Sequence, residues 1–475
     1  LLLIPLALPV VKLDGRMLEE TDASSSTYSD KNLPRSPVKS AQIIFADGFE
    51  VQDATLPNLP STWQPWEWQG YEAFPSLYFA ANPEGYFSEA QMDKISRFSL
   101  AILEFRMGQF AEEFTTGYWA GGDLEGFMQE QIRRFKAQHP NGPPILVYRS
   151  GMWAGSMYQG QWNALQNQSL FLEDTRDCEG FIDYPRDVDE SGEKTGLSYC
   201  RWDFRNEQTR LVFKDLAKPD QFGNADGVFF DNGMSVACDE AQLLSNMSPT
   251  ERSLFLGAQL ETYAEIFSEM VNQNQYPILS TTVGFSDIGA QVPWEYDCPG
   301  DEQRVLEALD GIPFARNQEF WMWNLGETAA RQIRNSIRET KNGIPLIVHM
   351  GYFSNDGGCA EGCIRLDESP KSFSKDEFLE FGIAAFLVSM GPGSYFGFSD
   401  MQNDPEGGGW FDVSWDYHTQ YETIITGQPL GDVEISADGM TFTRTFQNGT
   451  VWVNVSDGSY EINLEAGAAN DILSQ

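Results

Sequence analysis

Residues 224–233 read NADGVFFDNG. Gly227 to Phe230 are apolar or Gly, and the run ends on a carboxylate, Asp231, followed by Asn232 and Gly233. A short continuous apolar run bounded by turn residues predicts a strand buried on both faces, as in a parallel sheet covered by helices. A carboxylate closing such a strand is costly unless it is paired or used.

The same rhythm recurs along the chain. FPSLYFAAN (74–82) leads into FSEAQMDKISRF, and SLAILEFRMG (99–108) into LEGFMQEQIRRFKAQ. PPILVYRSG (143–151) opens a long polar insert, about 152–222. DGVFFDNG precedes the helical pattern SPTERSLFLGAQLETYAEIFSEMVNQ, with Ser248 or Thr250 as its N-cap. YPILSTTVG (276–284), DGIPFARNQEF (310–320) with GETAARQIRNSIRETKNG, IPLIVHMGYF (344–353) with SKDEFLEFGIAAF, and AFLVSMGPGSYFGF (385–398) complete the series. Eight strand candidates, most of them separated by helical patterns, predict an α/β chain folded as a (β/α)8 TIM barrel with loop insertions. An open doubly wound sheet is the alternative. It would usually carry a Gly-rich phosphate turn after its first strand, where this sequence has AANPEGYF.

The ends differ from this middle. Residues 1–11, LLLIPLALPVV, have the length and apolarity of part of a signal peptide, and a polar Ser/Pro/Asp stretch follows to about residue 40. A buried terminal strand is the other reading of the apolar run. The barrel is expected over 41–427. Over 428–466, short β-type runs split by ADG, QNGT and SDGS predict a small antiparallel β unit that must pack on the barrel.

Charge and cysteines bound the setting. The 475 residues carry 70 acidic and 31 basic side chains, a formal net charge of −39. Nucleic acid is not an expected partner, because phosphate binding needs basic patches. No later segment is apolar enough for a membrane span. Sequons at Asn167, Asn246, Asn448 and Asn454 and an even count of six Cys agree with secretion to an oxidising compartment. The pairs expected are Cys178–Cys200, Cys359–Cys363 and Cys238–Cys298. With three His and no C-x-x-C pair, no metal site is expected, nor any cofactor.

Active sites of (β/α)8 barrels sit at the C-terminal ends of the strands. Glu104 and Arg106, Tyr148 and Arg149, Asp231 and Asn232, Asn317 and Glu319, His349 and Tyr352, and Asp400 occupy those ends. Asp231 and Glu319 each follow a buried run on strands two apart around the ring. Two facing carboxyl groups suit glycoside hydrolysis, which needs one protonated and one charged. Trp321 and Trp323, just past Glu319, offer indole faces for sugar rings. A purely structural reading has Asp231 capping a turn, Glu319 paired with Arg316 or Arg149, and the Trp residues in the core.

DGVFFDNG, ARNQEFW and the closing GQPLG…FTRTFQNGTVWVNVS together resemble the hypothetical TIM-barrel glycoside hydrolases. The fourth-strand motif is also similar to that of the endo-α-1,4-polygalactosaminidase hydrolases. The resemblance implies Asp231 as nucleophile or stabiliser and Glu319 as acid/base. It also implies retention of anomeric configuration, with Glu319 raised in pKa by its aromatic neighbours and Asp231 kept ionised near Arg149. The expectation is a secreted hydrolase of a poly- or oligosaccharide, with Glu104, Arg106, Tyr148, Arg149, Asn232, Asn317, Trp321, Trp323, His349, Tyr352 and Asp400 around the substrate. A non-catalytic carbohydrate-binding or cell-surface barrel is the alternative. A sugar-phosphate or metal-dependent hydrolase is disfavoured by the scarcity of His and the absence of clustered Asp.

Overall fold

In the computed structural model, the described residues are 70–108, 123–155, 157–172, 199–231, 247–280, 305, 307–318, 325–352, 373–400 and 417–465. The strands in chain order are β1 (Leu77–Ala80), β2 (Leu100–Leu103), β3 (Ile145–Ser150), β4 (Trp153–Gly155), β5 (Tyr199–Arg201), β6 (Gly227–Asp231), β7 (Tyr276–Ser280), β8 (Ala315–Gln318), β9 (Leu346–Tyr352) and β10 (Tyr395–Asp400). Eight of them form one parallel sheet in the order β1-β2-β3-β6-β7-β8-β9-β10. The sheet closes on itself. Ser76, beside β1, bridges Phe396 of β10 in parallel, and the Phe396 N–H donates to the Pro75 carbonyl at 2.9 Å. The fold is a (β/α)8 TIM barrel with a separate small antiparallel sheet at its C-terminal end.

The helices are α1 (Glu89–Ile95), α2 (Leu124–Gln138), α3 (Gln159–Leu165), α4 (Glu207–Leu216), α5 (Pro249–Asn272), α6 (Glu327–Lys341), α7 (Lys375–Ser389) and α8 (Gln420–Thr423). Three start on reciprocal capping boxes, Ser88 with Gln91, Ser248 with Glu251, and Ser374 with Glu377. Each box satisfies backbone donors that have no partner inside the helix, so the sequence fixes where each helix begins.

Two stretches depart from the sequence reading. The polar insert after β3 contains the β4–β5 ribbon and α4, which Asn206 caps and Phe213 anchors. Its charged outer face hid an ordinary amphipathic helix. The run 385–398 is not one strand. Ala385–Ser389 is the end of α7, and β10 begins only at Tyr395. From Phe381 to Ser389 every residue of α7 is buried, and an all-round apolar helix end cannot be told from a strand by periodicity.

α7 is buried all round because the C-terminal sheet covers it. That sheet is antiparallel, with β11 (Glu434–Ile435), β12 (Thr441–Phe446), β13 (Gly449–Asn454) and β14 (Ser459–Leu464) in sequential order. Arg444 of β12 reaches over to the last turn of α7, and its Nη1 donates to the Met390 carbonyl at 2.5 Å. The Leu387 and Val388 carbonyls lie 3.4 Å from the same nitrogen. A cation there satisfies carbonyls that no helical N–H reaches. The Tyr460 hydroxyl donates to Glu380 at 2.9 Å, and the Tyr460 ring meets Phe381 edge-on.

Gly227 begins the decisive strand for a steric reason. A Cβ built there would fall on the carbonyl oxygen of Tyr276 in β7, a backbone atom that cannot yield. Gly227→Ala should therefore cost about 1–3 kcal/mol, read as a lower urea midpoint. An unchanged midpoint would show that β6 and β7 can separate without cost.

Candidate active site

Residues alternate between the two faces of a strand, so each stave sends one set of side chains into the barrel and the other toward the helices. Phe79 and Phe229 meet inside, with ring centroids 5.3 Å apart, and His349 lies 4.6 Å from Phe79 and 6.0 Å from Phe229. In β3 and β6, Tyr148 pairs with Phe229, and Ser150 with Asp231. Asp231 therefore shares the interior face with Phe229, one layer nearer the C-terminal rim. Leu103 pairs with Val147, so Glu104 follows in register with Tyr148 and shares the interior face with it.

This rim is polar. The Tyr148 hydroxyl donates to Asp231 Oδ2 at 2.7 Å. Glu104 is fully buried, and its Oε2 accepts the Arg106 N–H at 2.8 Å. Its Oε1 has no hydrogen-bond partner. Asn317, also fully buried, sends its Nδ2 toward Ser280 Oγ at 3.5 Å, and its Oδ1 has no partner.

Burial shifts the titrations. Desolvation pushes the Glu104 carboxyl up to about 8, and the negative charge of Asp231 adds to this. Arg106, through its charge and its backbone N–H, pulls the other way. His349 is pushed down to about 3 by burial, so it is neutral at ordinary pH. Tyr148 is raised well above its usual value, first by desolvation and then by the charges of Asp231 and Glu104, so its hydroxyl keeps its proton.

Of the residues expected at the site, the structure brings together Asp231, Tyr148 and Glu104, with Arg106 beside Glu104 and with Asn317 and His349 on other staves. It does not bring in Arg149. Because Tyr148 faces inward, Arg149 faces the helices. There it lies 3.4 Å from Glu125 of α2, with its guanidinium over the Tyr158 and Phe222 rings at 4.0 and 4.4 Å. The expectation that Arg149 supports the Asp231 charge is thereby corrected. Arg316 likewise turns outward, to a buried ion pair with Glu339 of α6. Glu319, Asn232, Trp321 and Trp323 lie outside the described residues, and of Tyr352 and Asp400 only the backbone is described, paired between β9 and β10.

Sequence reasoning ranked Glu104 as a substrate contact only. The signal for more was present, since LAIL closes on Glu104 as GVFF closes on Asp231. Among the described residues no group of side chains could hold a metal ion, and no helix is long and apolar enough to cross a membrane.

No protein-family model matches the chain, and no curated protein matches it. Solved structures do. The glycoside hydrolase domain of PelA from Pseudomonas aeruginosa aligns at 13% identity and TM-score 0.36, covering 71% of this chain and 98% of that one. Aspergillus fumigatus Ega3, in complex with galactosamine, aligns at 9% identity and TM-score 0.35, covering 71% and 94%. The Nostoc punctiforme debranching enzyme aligns at 11% identity and TM-score 0.42, covering 80% and 87%. At these TM-scores the likenesses carry no inference about chemistry, and what the site can do follows from its own side chains.

The burial of Glu104 has a measurable consequence. Below about pH 4.5 its carboxyl is protonated in folded and unfolded chains alike. As pH rises toward about 8 the unfolded chain ionises it while the folded chain keeps the proton, which costs up to about 1.4 kcal/mol of stability per pH unit. Urea unfolding of the native chain should thus lose ground to Glu104→Gln between about pH 5 and pH 7.5. Parallel pH curves would mean that Glu104 is ionised in the fold.

Proposed function

We propose that this chain is a secreted glycoside hydrolase acting on a poly- or oligosaccharide, with Asp231 as nucleophile or charge-stabilising carboxylate and Glu319 as acid/base. The observation that carries the reading is Asp231 itself. It is a half-buried carboxylate on the interior face of a barrel stave, at the end where barrel active sites form, oriented by the Tyr148 hydroxyl.

Cleaving a glycosidic bond develops positive charge on the sugar ring, and a carboxylate in a water-poor site stabilises it or bonds to it. The hydrogen bond from Tyr148 helps hold the Asp231 carboxylate in one orientation, which an attacking group needs. His349 is neutral and adds no opposing positive charge to the interior. Secretion is supported by the apolar start, the sequons and the six Cys. Cys200, the one Cys among the described residues, is disulfide-bonded, as suits an oxidising compartment.

The test is release of reducing ends from a panel of purified polysaccharides. The native chain should cleave at least one. Asp231→Asn should lower kcat by about 10³-fold or more while leaving saccharide binding in place. Tyr148→Phe, which removes only the orienting hydroxyl, should lower kcat by about 10–100-fold, the worth of a hydrogen bond to a charged group. Full activity in Asp231→Asn would sink the assignment. The first product seen by NMR should keep the anomeric configuration of the substrate, and an inverted product would rule out Asp231 as nucleophile.

A further inference from the structure

We infer that Asn454 carries an N-linked glycan whose first sugar lies on the indole of Trp452, and that the sequon at Asn448 carries none. The glycan depends on the secretion proposed above, because the enzyme that attaches it works in the secretory route.

Three observations carry it. The first is the face. In β13, Val451 and Val453 are buried, while Trp452 and Asn454 alternate with them and are partly exposed. Trp452 and Asn454 therefore share the face of the sheet that turns away from α7. Register extends that face across the sheet. Trp452 lies between Thr443 and Glu461, and Asn454 between Thr441 and Ser459, so the indole stands among polar side chains.

The second is the state of each sequon asparagine. Asn454 Oδ1 accepts from the Ser456 N–H at 2.9 Å and from the Ser456 hydroxyl at 2.7 Å. Both bonds use the oxygen. Among the described residues they leave Nδ2, the nitrogen that takes the sugar, free. Asn448 is the opposite case. Its Nδ2 donates to the Ile425 carbonyl at 3.0 Å in a partly buried contact, and its N–H donates to the Thr426 carbonyl at 3.1 Å. A sugar on that nitrogen would occupy the space of the 425–426 segment, so a chain glycosylated there could not close this contact. Asn167 has a closed turn like that of Asn454, with Ser169, but Leu165 rather than an indole stands two places before it.

The third is the indole itself. Trp452 Nε1 donates to Glu461 Oε2 at 2.7 Å across the ladder, which fixes the ring before any sugar arrives. Residues two apart on a strand are about 6–7 Å apart, so the first sugar on Asn454 reaches the indole face. Sugar C–H groups and the indole then leave water together.

The donor is an oligosaccharide on a lipid diphosphate. Asn454 Nδ2 bonds to C1 of its first sugar, and the C1–O bond to phosphate breaks. The lipid diphosphate leaves with that electron pair, and Nδ2 gives up one proton.

The test sends the full chain into the secretory route of a eukaryotic host behind the host's own signal peptide. Peptide mapping of the secreted protein, after enzymatic release of N-glycans, should mark Asn454 and leave Asn448 unmarked. An unmodified Asn454 or an occupied Asn448 overturns the inference. Secretion is checked apart, by locating the protein in its source. Confinement to the cell interior there removes the secretion reading and the native glycan together, whereas failure in the host removes the glycan only.

Contact with the indole has its own readout. Trimming the glycan to its first sugar should leave the urea midpoint in place, and Asn454→Gln should lower it. In a Trp452→Ala chain the same Asn454→Gln change should lower the midpoint less than about half as much, since only the Ser456 bonds are then lost. An equal drop in both chains would show that the sugar does not rest on Trp452, and that overturns the inference.

Discussion

A stave of a closed barrel meets water only at its ends. Along its length one face packs on the helices and the other on the opposite staves, so any polar side chain within it must find a partner or be used. This constraint orders the whole chain. It explains why runs such as GVFF and PLIV carry no polar residue, and why the polar groups that do occur fall into two kinds. Those facing the helices are matched in pairs, Arg149 with Glu125 and Arg316 with Glu339. Those facing inward at the C-terminal ends are not matched in that way. Glu104 Oε1 and Asn317 Oδ1 lack partners, and Asp231 accepts a hydrogen bond from the Tyr148 hydroxyl. A protein that had only to be stable would gain by replacing the inward set with hydrocarbon.

The same constraint explains the C-terminal sheet. α7 is apolar nearly all round, so the barrel can bury one side of it and something else must bury the other. β12 to β14 supply that cover, and Arg444 closes the helix end by donating to the Met390 carbonyl. A sheet of this size has little core of its own. Its inward residues Phe442, Val451 and Val453 are buried because the helix is there.

The sequence was legible where one force acted alone. Buried staves announced themselves by unbroken apolar runs, and one helix start by an N-cap residue, Ser248 of the two candidates Ser248 and Thr250. Where two readings share one pattern, it was not. Ala385 to Ser389 is as apolar as any strand, and only the cover from the C-terminal sheet makes it a helix end. The site was legible as to which strand ends carry polar residues. It was not legible as to which way they face, because facing depends on register. Tyr148 and Arg149 are adjacent, and either could have met Asp231. Pairing of Tyr148 with Phe229 decides it, since the aromatic interior then holds Tyr148 and sends the guanidinium outward.

That choice of tyrosine over arginine has a chemical consequence. An arginine beside Asp231 would stabilise its charge, and by the same amount would weaken it as a nucleophile toward an electron-poor sugar carbon. A tyrosine orients the carboxylate through one hydrogen bond and leaves the charge in place, and burial of the Tyr148 ring ensures that the hydroxyl does not ionise. Glu104, wholly buried on the same interior face, has its carboxyl pushed up by desolvation, and the charge of Asp231 adds to this while Arg106 opposes it. The outward turn of Arg149 and the inward place of Tyr148 are thus two results of one register.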